Sequence, residues 1–245
     1  MMPTTTHIQQ SIAPLIIFAA LLGFSGPLTA AQCTASSGAL RVPLLELYTS
    51  EGCSSCPPAD RWLSDLVAHP SSSERVIPLA LHVDYWDYIG WKDAFADPRF
   101  TKRQKAYAIA ANRHSVYTPQ MIVNGVEHVV GNHPVDVAAL ISKHAKVRNP
   151  ISIGLKQQGN VLSISASSDR AMPMPVIVQL VRYLPEREVD ISTDENVGRK
   201  MIYNNIVTEW RRLGDWDQSA PFKLKTSVTG DEPVVAIIQE TGPGL

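Results

Sequence analysis

The chain has 245 residues, enough for one large domain or two modest ones, and its 22 Lys and Arg against 23 Asp and Glu leave a formal charge of −1. With no basic tract either, this balance excludes the electrostatic footprint of a nucleic-acid binder or of a protein drawn to an anionic membrane surface. The 44 % hydrophobic fraction is that of a packed globular protein.

Residues 11–24 form an apolar run too short to span a bilayer, which takes about 20 residues. Small residues follow at Thr29, Ala30 and Ala31, so residues 1–31 read as a secretory signal peptide. The segment before the run has His7 but no Lys or Arg, which leaves an uncleaved anchor or a misassigned start as competing readings. Gln32 before Cys33 argues against lipid attachment. Export to the periplasm or beyond is expected, with no stable membrane span after cleavage. Three cysteines in an exported chain pair as Cys53 with Cys56 and leave Cys33 odd.

Residues 40–47 read as a short apolar strand, and Cys53-Ser54-Ser55-Cys56 then opens a helix with Trp62, Leu63, Leu66 and Val67 at helical spacing. A polar loop at 71–74 precedes a second apolar strand, 76–83. Asp97-Pro98 starts another helix, to about residue 112, with Asp as N-cap and Pro at the first helical position. Strands 121–123 and 126–130 flank Asn124-Gly125, a hairpin signal, and a last helix covers 134–146. After a boundary at Arg148-Asn149-Pro150, runs at 151–155, 161–166, 176–183, 188–191, 201–207, 222–228 and 234–238 suggest a β-sandwich-like module. The expected fold is therefore an α/β domain over 40–148, with a helical insertion at 85–118, followed by a mostly-β module over 150–245.

A Cys-x-x-Cys where a strand runs into a helix supports three readings: a redox dithiol, a structural disulfide, or half of a metal site. For the first, Cys53 at the helix start is the attacking thiolate, favoured by unpaired N–H groups and the helix dipole, and Cys56 is the resolving thiol. Ser54 and Ser55 can donate hydrogen bonds to the thiolate without adding charge. The redox reading needs no cofactor beyond the dithiol and takes protein or small-molecule thiols as partners. For the metal reading, Cys53 and Cys56 with His82 would hold copper or zinc. His82 and Asp84 end the second strand, the edge where α/β sites gather, and Trp86 belongs to an aromatic run that faces a substrate or packs the insertion.

The strand, Cys-x-x-Cys helix, Thr118-Pro119 and hairpin together resemble the thioredoxin fold. The segments 46–60, 82–93 and 116–121, with Glu195-Asn196-Val197-Gly198-Arg199 and 203–207, look like a secreted bacterial family catalogued as domain of unknown function 1223 and grouped with thioredoxin-like proteins. The thioredoxin resemblance implies a cis Pro119 against the cysteines, with Thr118 beside the substrate. It also implies a buried acid that moves the inner thiol's proton. Glu46, seven residues before Cys53, is the candidate for that role, and a strand-face Glu reaching solvent or a surface Lys is the alternative.

Overall fold

The computed structural model describes residues 32–69, 76–131, 133–170, 174–193 and 195–241. The signal peptide expected over 1–31 and the loop expected over 71–74 lie outside the described residues. Among the described residues no helix is long and apolar enough to cross a membrane.

The first strand met, β1 (Gln32–Ser36), was not expected; β2 (Leu44–Thr49) and β3 (Ile77–His82) were. They lie side by side in parallel, with Leu44 opposite Ile77 and Thr49 opposite His82. Helix α1 (Pro57–Ala68) connects them, and its buried stripe of Ala59, Asp60 and Leu63 faces the sheet. Asp97 caps helix α2 (Pro98–Ala110) by accepting a hydrogen bond from the Arg99 N–H at 2.8 Å. Strands β4 (Gln120–Val123) and β5 (Glu127–Val130) form the expected hairpin, with Asn124 and Gly125 both at positive φ. Helix α3 (Pro134–His144) follows.

The second half consists of β6 (Ile151–Gln158), β7 (Val161–Ser168), β8 (Val176–Asp190), β9 (Lys200–Trp216), β10 (Phe222–Ser227) and β11 (Val234–Glu240). These strands overturn the expected fold class. Among the described residues 44 % are extended and 20 % helical, so the protein is mostly β with two large sheets. It is not an α/β thioredoxin-like domain with a helical insertion. One sheet has the order β11-β8-β9-β3-β2-β4-β5 and so runs across the boundary at 148–150; the other is β1-β6-β7-β10. The junction is the parallel pairing of β3 with β9, where Ala80 stands opposite Ile206.

Packing gives the reason. One face of the large sheet buries Leu45, Leu47, Met121 and Val123 under α1 and α3, through Ala59, Leu63, Val137 and Ile141. The other face buries Tyr48, Leu79, Leu81 and Ile122 with Phe100 and Tyr107 of α2, together with Val181 of β8 and Val207 of β9. Helix α2 is thus a covering layer that needs the C-terminal strands beside it. At about 25 cal/mol per Å² of buried apolar surface, detaching those strands would expose a face the fold depends on. The small sheet packs on the end of the large one, with Ile151 and Ala166 against Val176, Val178 and Trp216.

Candidate functional site

Cys53 and Cys56 form a disulfide with their Cα atoms 5.4 Å apart. Helix α1 begins at Pro57, not at Cys53 as expected: Cys56 is its N-cap, with Pro57 and Pro58 in the first two positions. Those prolines have no N–H, and the next two amides, of Ala59 and Asp60, both donate to the Cys56 carbonyl. The helix end therefore offers Cys53 no free amide. Hydroxyls serve instead. Thr118 Oγ1 donates to Cys53 Sγ at 3.3 Å, and Ser55 Oγ lies 3.4 Å from the same sulfur.

The Thr118–Pro119 peptide is cis, as the resemblance implies. Pro119 is held closely: its carbonyl accepts the Gly131 N–H at 2.9 Å, and a Cβ at Gly131 would stand 2.7 Å from Pro119 Cβ and 3.1 Å from Ala59 Cβ. Trp86 donates its indole N–H to Thr118 Oγ1 at 2.7 Å. A hydrogen-bonded line thus runs from Trp86 through Thr118 to Cys53. The sulfurs are not open to solvent: Cys53 is 1 % exposed and Cys56 0 %, while Ser54 and Ser55 between them are exposed. Cys53, read from the sequence as the attacking thiol, is therefore buried.

The structure does not bring Glu46 to the disulfide. Side chains alternate along β2, so Leu45 and Leu47 face α1 while Glu46 and Tyr48 face α2. There Glu46 is fully buried and saturated. Arg103 Nε and Nη2 donate to its two oxygens at 2.7 and 3.0 Å, and the hydroxyls of Tyr48 and Tyr107 add bonds at 2.9 and 2.6 Å. Arg103 also stacks 3.8 Å from the Trp210 ring. This is a buried ion pair within the core, neither the proton shuttle nor the solvent-facing Glu that the sequence allowed. Asp84 likewise belongs to α2, accepting from Thr101 Oγ1 near the helix start.

His82 does lie near the cysteines, in a setting that sequence reasoning missed. Its Nδ1 is 2.7 Å from Asp93 Oδ2, and its ring meets the edges of Phe95 and Tyr203. Asp93 Oδ2 also accepts the Glu51 N–H at 2.9 Å, and Trp91 Nε1 donates to Glu51 Oε2 at 2.5 Å. Asn196 ties this group to the disulfide, donating Nδ2 to the carbonyls of Glu51 at 2.8 Å and Cys53 at 3.0 Å. Burial would lower the His82 pKa, but the charges of Asp93, Asp60 and Glu51 outweigh it and raise it. Burial pushes the Asp60 carboxyl up to about 7, and burial with the Asp93 charge does the same for Glu51. Asp60, not Glu46, is thus the buried acid on the face of α1. One signal was legible: Asp60 follows Cys56 by four residues, one helical turn, on the stripe that must face the sheet.

Cys33, the odd cysteine, is free and exposed on β1, at one edge of the small sheet.

The crystal structure of a structural-genomics target from Agrobacterium tumefaciens is similar to this chain at 32 % identity and a TM-score of 0.65, covering 78 % of this chain and 80 % of its own. HBP35 of Porphyromonas gingivalis shares the fold at a TM-score of 0.59 and 15 % identity, over 84 % of this chain and 74 % of its own. No curated protein matches the sequence. Residues 44–239 match the model of a family described as "Protein of unknown function (DUF1223)", a span that takes in Cys53 and Cys56, Thr118-Pro119 and most of both sheets, and the chain belongs to that family.

Proposed function

We propose that this protein is an exported thiol–disulfide oxidoreductase that exchanges the Cys53–Cys56 disulfide with thiols of a protein or small molecule. The observation that carries the reading is the pair of hydroxyls, Thr118 and Ser55, set on Cys53 Sγ with Pro119 packed behind them. A hydroxyl adds little to a disulfide sulfur but stabilises the thiolate formed when that bond breaks, since hydrogen bonds to charged groups contribute about 1.5–3 kcal/mol.

In the oxidising direction a substrate thiolate attacks Cys53 Sγ. A substrate–Cys53 disulfide forms, and Cys56 leaves as a thiolate. Asp60, whose carboxyl burial raises to about 7 and which follows one turn further along α1, is the candidate to give Cys56 its proton. A second substrate thiol then attacks the substrate sulfur of the mixed disulfide, releasing the Cys53 thiolate to the two hydroxyls. The substrate loses two electrons and the protein gains them; the reverse sequence reduces a substrate disulfide. The same local arrangement supports kinship with the thioredoxin superfamily, independently of the overall architecture. An exported setting suits it, because disulfides persist there.

A second reading is favoured by one observation: both sulfurs are buried, as in a structural staple of a non-catalytic interaction protein. Equilibration in graded thiol–disulfide buffers separates the two. A midpoint potential between about −120 and −270 mV supports exchange, and one below about −300 mV marks a staple. A Cys56→Ser variant that accumulates mixed disulfides on Cys53 supports exchange as well; an empty trap with Cys53 intact counts against it.

A further inference from the structure

Next to the disulfide the fold encloses three carboxyl groups and one imidazole. Glu51 and His82 are 0 % exposed, Asp93 2 % and Asp60 3 %. One donor atom from each of Glu51, His82 and Asp93 lies within 4.8 Å of the other two. Their scaffolding is rigid: Asp93 accepts from His82 and from the Glu51 and Phe95 amides, and Glu51 is held by Trp91. Yet Glu51 Oε1, His82 Nε2 and Oδ1 of Asn196 have no hydrogen-bond partner, while the Thr49 hydroxyl and the Asp60 carboxyl face each other. Each buried polar atom left unpaired costs about 1–3 kcal/mol, so a group of them around one turn points to a missing partner. The charge balance points the same way. Three carboxyls face one imidazole, and among the described residues no Lys or Arg forms an ion pair with Glu51, Asp60 or Asp93.

We propose that Glu51, His82 and Asp93 form a binding site for a divalent first-row transition-metal ion. One imidazole nitrogen with carboxylate oxygens is a donor set for zinc, manganese or iron(II), and it requires no thiolate. This site is distinct from a copper or zinc site on the cysteines, because Cys53 and Cys56 stay in their disulfide. It does not depend on thiol exchange. A metal there would fix the turn of residues 50–53, whose carbonyls Asn196 clamps, and so hold the disulfide in place with its sulfurs oxidised or reduced.

The test uses the full chain, stripped with chelator and titrated with Zn2+ alone, with stoichiometry read by elemental mass spectrometry. One zinc per chain is expected, retained in the Cys53→Ser/Cys56→Ser double variant and weakened at least about tenfold by Glu51→Gln and by His82→Gln. Circular dichroism reports whether each variant is folded. If His82→Gln does not fold, X-ray absorption on the zinc-loaded wild type replaces it, with only nitrogen and oxygen neighbours expected. No tight zinc binding by the folded wild type would overturn the proposal. So would sulfur among the zinc neighbours, or binding left unchanged by Glu51→Gln.

Discussion

Thr118, Asp60 and Arg103 each make a claim that a single substitution can test. Thr118 sets its hydroxyl on Cys53 Sγ, so Thr118→Val removes a donor from the thiolate while keeping the volume. The apparent pKa of Cys53, followed by the pH dependence of iodoacetamide alkylation of the reduced protein, should rise by about one unit, worth about 1.4 kcal/mol. An unchanged pKa would mean the hydroxyl only packs. Asp60 is an acid whose folded pKa is raised from 3.8 to about 7. The stability linked to its proton is full below pH 4 and is lost as pH rises through about 7, because the unfolded chain ionises first. Asp60→Asn cannot ionise, so above pH 7 the variant should gain stability relative to wild type, by up to about 4 kcal/mol. Denaturant melts at pH 5 and pH 8 would show this as a wild-type decline missing in the variant. Arg103 is the partner of a fully buried carboxylate. Arg103→Met removes the ion-pair partner of the buried Glu46, which should cost about 3–5 kcal/mol, and the double variant with Glu46→Leu should recover much of the loss.

At the scale of elements, the site is an agreement between three segments that the chain visits far apart. The turn after β2 supplies Cys53, the segment entering β4 supplies Thr118 and Pro119, and the end of β5 supplies Gly131, which leaves room for the proline. Gly131→Ala would place a methyl 2.7 Å from Pro119 Cβ, closer than carbon atoms pack, so either the β5 end or the proline must shift. The expected outcome is a loss of about 1–3 kcal/mol in stability together with an altered Cys53 reactivity; stability lost with reactivity intact would detach Pro119 from the chemistry. The 3-10 turn at Asp87–Ile89 and the segments beside it contribute Trp86, whose indole donates to the Thr118 hydroxyl that in turn bonds Cys53. Since Cys53 is nearly inaccessible, Trp86→Ala should speed its reduction by dithiothreitol several-fold. An unchanged rate would mean that attack comes from another side.

At the scale of the whole molecule, the seven-stranded sheet makes the two halves of the chain a single folding problem. Strand β9 fills the position beside β3, and β8, β9 and β11 complete the face that α2 covers. A chain ending at residue 149 should therefore fail to show a cooperative melt, and cooperative unfolding of that fragment would contradict this account. The sequence by itself determined what depends on neighbours along the chain. The helices starting at Pro98 and Pro134, the presence though not the start of the helix after the Cys-x-x-Cys, the Asn124-Gly125 turn and most of the strands followed from periodicity, capping and turn chemistry. The Cys-x-x-Cys and Thr118-Pro119 were legible as one site because the resemblance runs through both. What only the tertiary structure decided is which strands pair and which way a buried polar side chain faces. Strand periodicity is the same for any partner, so it did not reveal that the C-terminal strands extend the first sheet. Glu46 and Asp60 are both acids in apolar surroundings, and only the face of the sheet each one occupies separates an ion pair with Arg103 from a carboxyl beside the disulfide. The cluster of Glu51, His82 and Asp93 spans more than forty residues of sequence, and it exists because β2 and β3 end side by side with the following loop folded over them.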